Sequence, residues 1–236
     1  QIACGKVKHH MKSALVSEVR IGTPVPFGPN NASSAITKKA VLGKVWLSPL
    51  GIEGDVQADQ EKHGGLDKAL HQYCSGHYEH WKRVLPGTKD LSPGTFGENI
   101  VACDHDETNV CLGDSFQIGE AVVQVSQPRQ PCWKLNVRIS QPGFAKLVQS
   151  SGLTGWYYRV LQTGWVAAGD AITLIDRPNR EWPLQRVHKT LYQAPLNFDL
   201  TSDLGSVREL SVSWKNLIRS RLKNRAVESW SSRLRD

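Results

Sequence analysis

The order of hydrophobic and polar positions divides the chain near residue 177. Before that point, short segments of β-branched and alternating residues are bounded by glycines rather than by helix caps, which is the pattern of strands. Residues 15–21, 41–47, 115–118, 121–126 and 171–175 are the plainest examples. Three Gly-Asp pairs, Gly54-Asp55, Gly113-Asp114 and Gly169-Asp170, mark tight turns, because Gly accepts a positive φ and Asp ties the backbone. Many short strands punctuated in this way predict a barrel. Two intervals interrupt them with three-and-four spacing and are predicted as helices. The first is 67–84, carrying Leu70, Tyr73, His77, Tyr78 and Trp81, and the second lies around 144–150. Residues 86–93 read as a polar loop.

After Arg177-Pro178 the apolar residues recur at a helical period in three groups. These are Leu184, Val187 and Leu191; Val207, Leu210, Trp214 and Leu217; and Val227, Trp230 and Leu234. The expectation is a mostly β domain over 13–176, a barrel with a few short helices, followed by a small three-helix domain over 177–236. Helices this short are marginal alone, so their stripes must bury against one another or against the barrel. No internal repeat or low-complexity tract is present.

Charge and cysteine content narrow the setting. No apolar run approaches the ~20 residues that cross a bilayer, and residues 1–12 lack the apolar stretch of a secretory signal. Cys4, Cys74, Cys103, Cys111 and Cys132 form an odd set without a C-x-x-C pair, which fits neither a disulfide framework nor a zinc knuckle. A reducing, cytoplasmic setting is the simplest expectation. The formal net charge of +7 resides almost wholly in the tail: residues 177–236 hold 12 Lys/Arg against 6 Asp/Glu, leaving 17 against 16 before them. A basic tail raises nucleic acid as a partner. Its aromatics, Trp214 and Trp230, fall on the apolar stripe, however, so Arg219, Arg221, Lys223, Arg225, Arg233 and Arg235 read more simply as a solvated face or a dock for an acidic protein.

The densest chemistry lies in Gln127-Pro128-Arg129-Gln130-Pro131-Cys132-Trp133-Lys134, directly after a predicted strand. Prolines on either side of Arg129 fix φ and remove backbone donors, so the segment is stiff and ends a ladder. Arg129 and Lys134 favour a thiolate at Cys132, a soft donor suited to thiophilic metals or to nucleophilic attack. The same residue is equally readable as a small buried cysteine. His63-Gly64-Gly65, ahead of Asp67-Lys68, offers close backbone approach and a helix N-terminus to an anion, with Lys68 as counter-ion; it is also an ordinary loop-to-helix turn. Glu98 and Asn99 offer acceptors to the N–H edge of a heterocycle, or simply cap a turn. Ser34 and Lys38 offer a hydroxyl and a cation to phosphate. No nucleotide-cradling, dinucleotide, zincin or hydrolase-elbow motif occurs, so electrons for any redox reaction must come from a partner.

Taken together and in order, these segments resemble the MOSC family, named for the C-terminal domain of molybdenum-cofactor sulfurases, in its YiiM-like branch. The resemblance runs from about Ser13 to the end of the chain. It is carried by Ser34-Ala35-Ile36 with Lys38, Gly51-Ile52-Glu53-Gly54-Asp55, His63-Gly64-Gly65, Phe96-Gly97-Glu98-Asn99, Gly113-Asp114, Gln127-Pro128-Arg129 with Pro131-Cys132, Gly155-Trp156-Tyr157 and Gly169-Asp170. So many ordered matches are far more specific than any one of them. The resemblance implies a β-barrel with a three-helix tail and a molybdenum-pterin cofactor, the metal held by a dithiolene and by Cys132. It further implies that Arg129 and Lys134 flank the site, that Ser34 and Lys38 meet the pterin phosphate, and that the loops of His63, Gly64, Gly65, Glu98 and Asn99 contact the pterin. Lys68 stands where many relatives have Arg, so a two-pronged contact becomes a point charge. At the level of the wider family, pyridoxal phosphate binding and a role in detoxification also come into view.

The activity implied is reduction of an N-hydroxylated base or related compound to the amine, with electrons from a reductase partner. Cys132, Arg129 and His63 would be the catalytic residues. His63 or His71 would supply the proton for the departing oxygen, because imidazole titrates near neutral pH. A second enzymatic reading is sulfur transfer through a Cys132 persulfide, which needs the same thiolate and no tightly held metal.

Overall fold

The structure is a computed structural model and describes residues 11–28, 31–59 and 63–235. Its strands are β1 (Ala14–Ile21), β2 (Val25–Phe27), β3 (Ala32–Ser34), β4 (Lys39–Ala40), β5 (Val45–Ser48), β6 (Gly51–Ile52), β7 (Leu70–Cys74), β8 (Ile100–Ala102), β9 (Ser115–Ile118), β10 (Ala121–Pro128), β11 (Trp156–Gln162), β12 (Gly164–Val166) and β13 (Ala171–Asp176). The main sheet runs β13-β9-β10-β11-β7-β8-β1-β4, and pairing of β13 with β1 closes seven of these strands into the expected barrel. All its pairs are antiparallel except β7 with β8. Closure leaves no exposed edge in the ring. Val16, Leu70, Ile100, Phe116, Val123, Trp156 and Ile172 fill the barrel and are essentially inaccessible.

The Gly-Asp turns form as the sequence requires, with Gly54, Gly113 and Gly169 at φ of 86°, 83° and 92°. Two elements differ from expectation. The segment predicted as a helix over 67–84 is a strand followed by a helix: Leu66–Lys68 form one 3-10 turn, β7 follows, and only α1 (Gly76–Val84) is helical. All five residues of β7 are buried, so the strand shows no alternation, and Leu70 and Tyr73 fall at a spacing that a helix would also produce. The strand expected over 41–47 begins later, as β5.

Short helices α2 (Lys134–Arg138) and α3 (Phe144–Ser151) follow β10, the second as predicted. The tail holds α4 (Leu184–Tyr192), α5 (Phe198–Ser206), α6 (Val212–Asn224) and a last turn, α7 (Ser231–Leu234). Two of these starts are set by capping side chains. Asn197 accepts from Leu200 N at 3.0 Å ahead of α5, and Ser211 accepts from Trp214 N at 3.3 Å ahead of α6. The stripe expected to form one helix from Val207 is therefore only half helical: Val207 and Leu210 lie in the connection between α5 and α6, and Trp214 and Leu217 lie on α6. Leu184, Val187, Leu191, Leu204, Trp214 and Ile218 bury in the same hydrophobic cluster as the barrel interior. A second cluster, with Tyr73, Trp81, Phe96 and Phe144, lies under α1 and α3, and Leu234 of α7 joins it.

Candidate functional site

Strand β10 does not stop where its ladder would end in a regular sheet. Its register with β11 shifts between Val125 and Gln127, after which Gln127 faces Tyr157 and Pro128 faces Trp156. A bulge of this kind re-aims the side chains beyond it. Arg129 continues the strand by donating its N–H to the Gly155 carbonyl at 2.9 Å, and the chain then turns through Pro131 into Cys132, whose carbonyl accepts from Leu135 N at 3.0 Å. Arg129 and Cys132 are 5% and 7% exposed, and both line an open cavity.

Segments far apart in sequence supply the other walls. Ser34 and Lys38 come from the chain after β2, His63 and Lys68 from the segment before β7, Asn99 from the residue just before β8, and Lys134 from α2. The predicted site residues Ser34, Lys38, His63, Lys68, Asn99, Arg129, Cys132 and Lys134 thus meet in one place, joined by His71, which was raised only as a proton donor. Asp59 and Tyr157 also line it, and sequence reasoning assigned neither a role. Gly64, Gly65 and Glu98 are not part of it.

Several of these residues do a different job from the one expected. The oxygens of Glu98 accept from Tyr78 Oη at 2.5 Å, Gly94 N at 2.6 Å and Phe96 N at 3.1 Å, so this carboxylate braces its own loop instead of presenting an acceptor to a heterocycle. Asn99 is largely committed too: it accepts from His71 N at 3.2 Å and donates to the Arg20 carbonyl at 3.1 Å and to Asp55 Oδ2 at 2.9 Å. Asp55, read only as a turn residue, is the hub of this frame. Its fully buried carboxylate also accepts from Gly22 N at 2.8 Å and from Lys38 Nζ. Lys38 is therefore a compensated cation, with burial lowering its proton affinity and Asp55 raising it. The hydroxyl of Ser34 accepts from Ile36 N at 3.3 Å. The anion-binding helix N-terminus expected after Gly65 is absent, because a single 3-10 turn replaces the helix.

The uncompensated positive charge sits on Arg129. Its Nη1 is buried and has no hydrogen-bond partner among the described residues, and neither has His71 Nε2. Buried polar atoms without partners are expensive, and a ligand in the cavity is the natural partner for them. The same charge acts on the histidines. Burial, then Arg129, Lys134 and Lys68, pushes His63 down to about 4, the nearby Asp59 opposing them. Burial and Arg129 likewise hold His71 well below its ordinary range. Both imidazoles are neutral at pH 7, so neither carries the extra proton expected of a general acid. Arg129 also opposes the effect of burial at Tyr157, which drives that hydroxyl's affinity upward.

A barrel closed in this order, with a Pro-braced cysteine and a cationic cavity at the end of β10, defines a protein class. The MOSC domain profile matches residues 59–173, and the chain belongs to the MOSC family. Within it the chain is YiiM-like: it is 38% identical over 207 residues to Protein YiiM of Escherichia coli, covering 87% of this chain and 92% of that protein. The crystal structure of that YiiM superposes with a TM-score of 0.80 at 33% identity, over 94% of this chain and 98% of the other. A fungal protein of Gibberella moniliformis named Reductase is 35% identical over 205 residues, which are 86% of this chain and 34% of that protein.

Proposed function

We propose that this chain binds a molybdenum-pterin cofactor through Cys132 and reduces N-hydroxylated compounds to amines with electrons from a partner reductase. The observation that carries the reading is the convergence of a cysteine, a guanidinium with one buried nitrogen left without a partner, and further cations on one cavity. Among the described residues no group of three or more His, Cys, Asp or Glu side chains is placed to hold a metal ion. A metal held here must therefore bring most of its own ligands, which suits a dithiolene-chelated metal completed by one thiolate. The reductase-named relative supports the redox class.

The cofactor, when bound, supplies the two-electron couple and the Lewis acidity for N–O cleavage. The overall change is an N–OH group plus two electrons and two protons going to N–H and water. Cys132 holds the metal, and Arg129 and Lys134 balance the negative charge of thiolate and ligand. The Asp55–Lys38–Asn99 frame fixes the opposite wall. Neutral His63 and His71 are donors and acceptors that orient the ligand, and an anion in the cavity would offset the neighbouring cations while leaving burial, the larger cause of their low proton affinity, in place.

Replacing Cys132 by Ala is expected to leave the fold and thermal midpoint essentially unchanged while abolishing molybdenum retention and turnover. Elemental analysis, pterin fluorescence and an N-hydroxylated purine assay check this. Metal at wild-type stoichiometry with full turnover would remove the assignment. Sulfane sulfur on Cys132 of the purified wild-type protein, without molybdenum or pterin, would replace it with the sulfur-carrier reading.

A further inference from the structure

The loop that carries Cys132 is poor in hydrogen bonds of its own, since Pro128 and Pro131 have no N–H to give. Something outside the loop must hold it. The last turn of the chain does so. Arg233 accepts from Trp133 N with its backbone carbonyl at 2.8 Å, and its guanidinium donates to the Pro131 carbonyl and, at 2.5 Å, to Gln149 Oε1. Peptide groups on both sides of Cys132 are thus tied to one residue 102 positions from Pro131 in sequence. The neighbours of Arg233 reinforce the junction. Asn136 Nδ2 donates to the Leu234 carbonyl at 3.2 Å, the Leu234 side chain is 2% exposed, and the Arg235 guanidinium lies 3.7 Å from the centre of the Trp133 ring.

The turn is itself anchored, and the anchor accounts for a buried arginine that the proposed chemistry does not use. Arg221, 1% exposed, gives Nη1 to the Leu191 carbonyl at 2.8 Å and grips Glu228 with two bonds of 2.7 Å. Glu228 Oε1 accepts from Trp230 Nε1 at 2.9 Å, and the Trp230 ring packs 5.5 Å from that of Tyr192. A continuous chain of contacts therefore runs from α6 through Glu228 and Trp230 to α7 and the cysteine loop. Ser232 and Arg233 also line a recess that opens on Cys132.

We infer that Arg233 is a positioning residue for Cys132, and that the C-terminal turn is a strap that sets how far the thiol faces the cavity. The inference rests on Cys132 being the working group, yet its test needs neither metal nor turnover. Peptide-resolved alkylation by iodoacetamide, followed by mass spectrometry on the metal-free full-length protein, reads each cysteine separately. In Arg233→Ala, Cys132 is expected to label about tenfold faster, since the guanidinium that ties the Pro131 carbonyl to Gln149 of α3 is gone and only the backbone bond to Trp133 N remains. Buried Cys74 and Cys111 should keep their wild-type rates. Arg233→Lys, which keeps the charge but not the fork, should fall between the two, and it decides the matter if Arg233→Ala does not fold. A wild-type Cys132 rate in the alanine variant, or in the lysine variant where only that one folds, would overturn the inference. So would a rise shared equally by Cys74 and Cys111, which marks general loosening. Retention of molybdenum by Cys132→Ala would remove the proposed function and leave this result standing; unchanged labelling would do the reverse.

Discussion

At the scale of single residues, the cavity is governed by a few cations and by what they do to the histidines. Replacing Arg129 with Gln removes the second-largest cause of the low proton affinity of His63 and leaves burial, the largest, in place. The His63 titration midpoint, followed by NMR, should therefore rise from about 4 and stay below 6.5. A wild-type midpoint near 6.5 would contradict the cationic cavity. The buried imidazoles also make stability depend on pH. Unfolded, His63 and His188 take up a proton near 6.5; folded, they do so only near 4. Between these limits the unfolded chain holds more protons, so falling pH favours unfolding. Stability is full above pH 6.5 and declines towards pH 4. For His188, at 1% exposure, the loss by about pH 5 is on the order of 2 kcal/mol. Denaturant midpoints at neutral and mildly acidic pH check the sign, and equal values would refute it.

At the scale of elements, the bulged β10 and the buried β7 build the site between them, and Gly155 is where they allow no substitution. Its φ is 69°, and a Cβ there would stand 2.3 Å from the Gln72 carbonyl oxygen and 2.8 Å from His71 Nε2. Its N–H donates to Glu107 Oε1 at 2.7 Å while its carbonyl holds Arg129, so the position joins three elements. Gly155→Ala should cost at least about 2 kcal/mol and disturb both β7 and Arg129. Gly43→Ala is the control. It shares a positive φ of 79° but has nothing within 4 Å of the added carbon, so it should lose only about 1 kcal/mol. Equal losses in chemical denaturation would show that backbone conformation, not close approach, sets the requirement at Gly155. The failed reading of 67–84 belongs at this scale too. Periodicity reports which faces are wet, and a strand buried on every side has no wet face to report.

At the scale of the whole molecule, the basic tail is less available than its charge suggests. Arg221 and Arg233 are engaged as described, Arg225 lies 3.9 Å from the centre of the Phe198 ring, and Arg235 covers Trp133. Trp214 is 1% exposed, which removes it as a stacking platform for bases. A random DNA duplex titrated at low salt should therefore show at most weak association and a shallow salt dependence. A steep fall in affinity with salt would reveal phosphate contacts and reopen the nucleic-acid reading. The tail's apolar stripes bury into the barrel's own cluster, and its last turn reaches the cysteine loop, so the charged side chains follow from that packing.

By itself, the sequence determined the strand-rich body, the positive-φ turns at Gly54, Gly113 and Gly169, the helical period of the tail and the stiffness of the Pro-flanked cysteine loop. Each of these is local: it depends on residues within a few positions of one another, where steric limits and burial period act directly. Only tertiary structure decided that Asp55 compensates Lys38, that Glu98 faces its own loop, that two histidines are held neutral and that Arg233 reaches Pro131. Those outcomes depend on which charges and donors come within reach once distant segments share one interior, and no spacing along the chain records that distance.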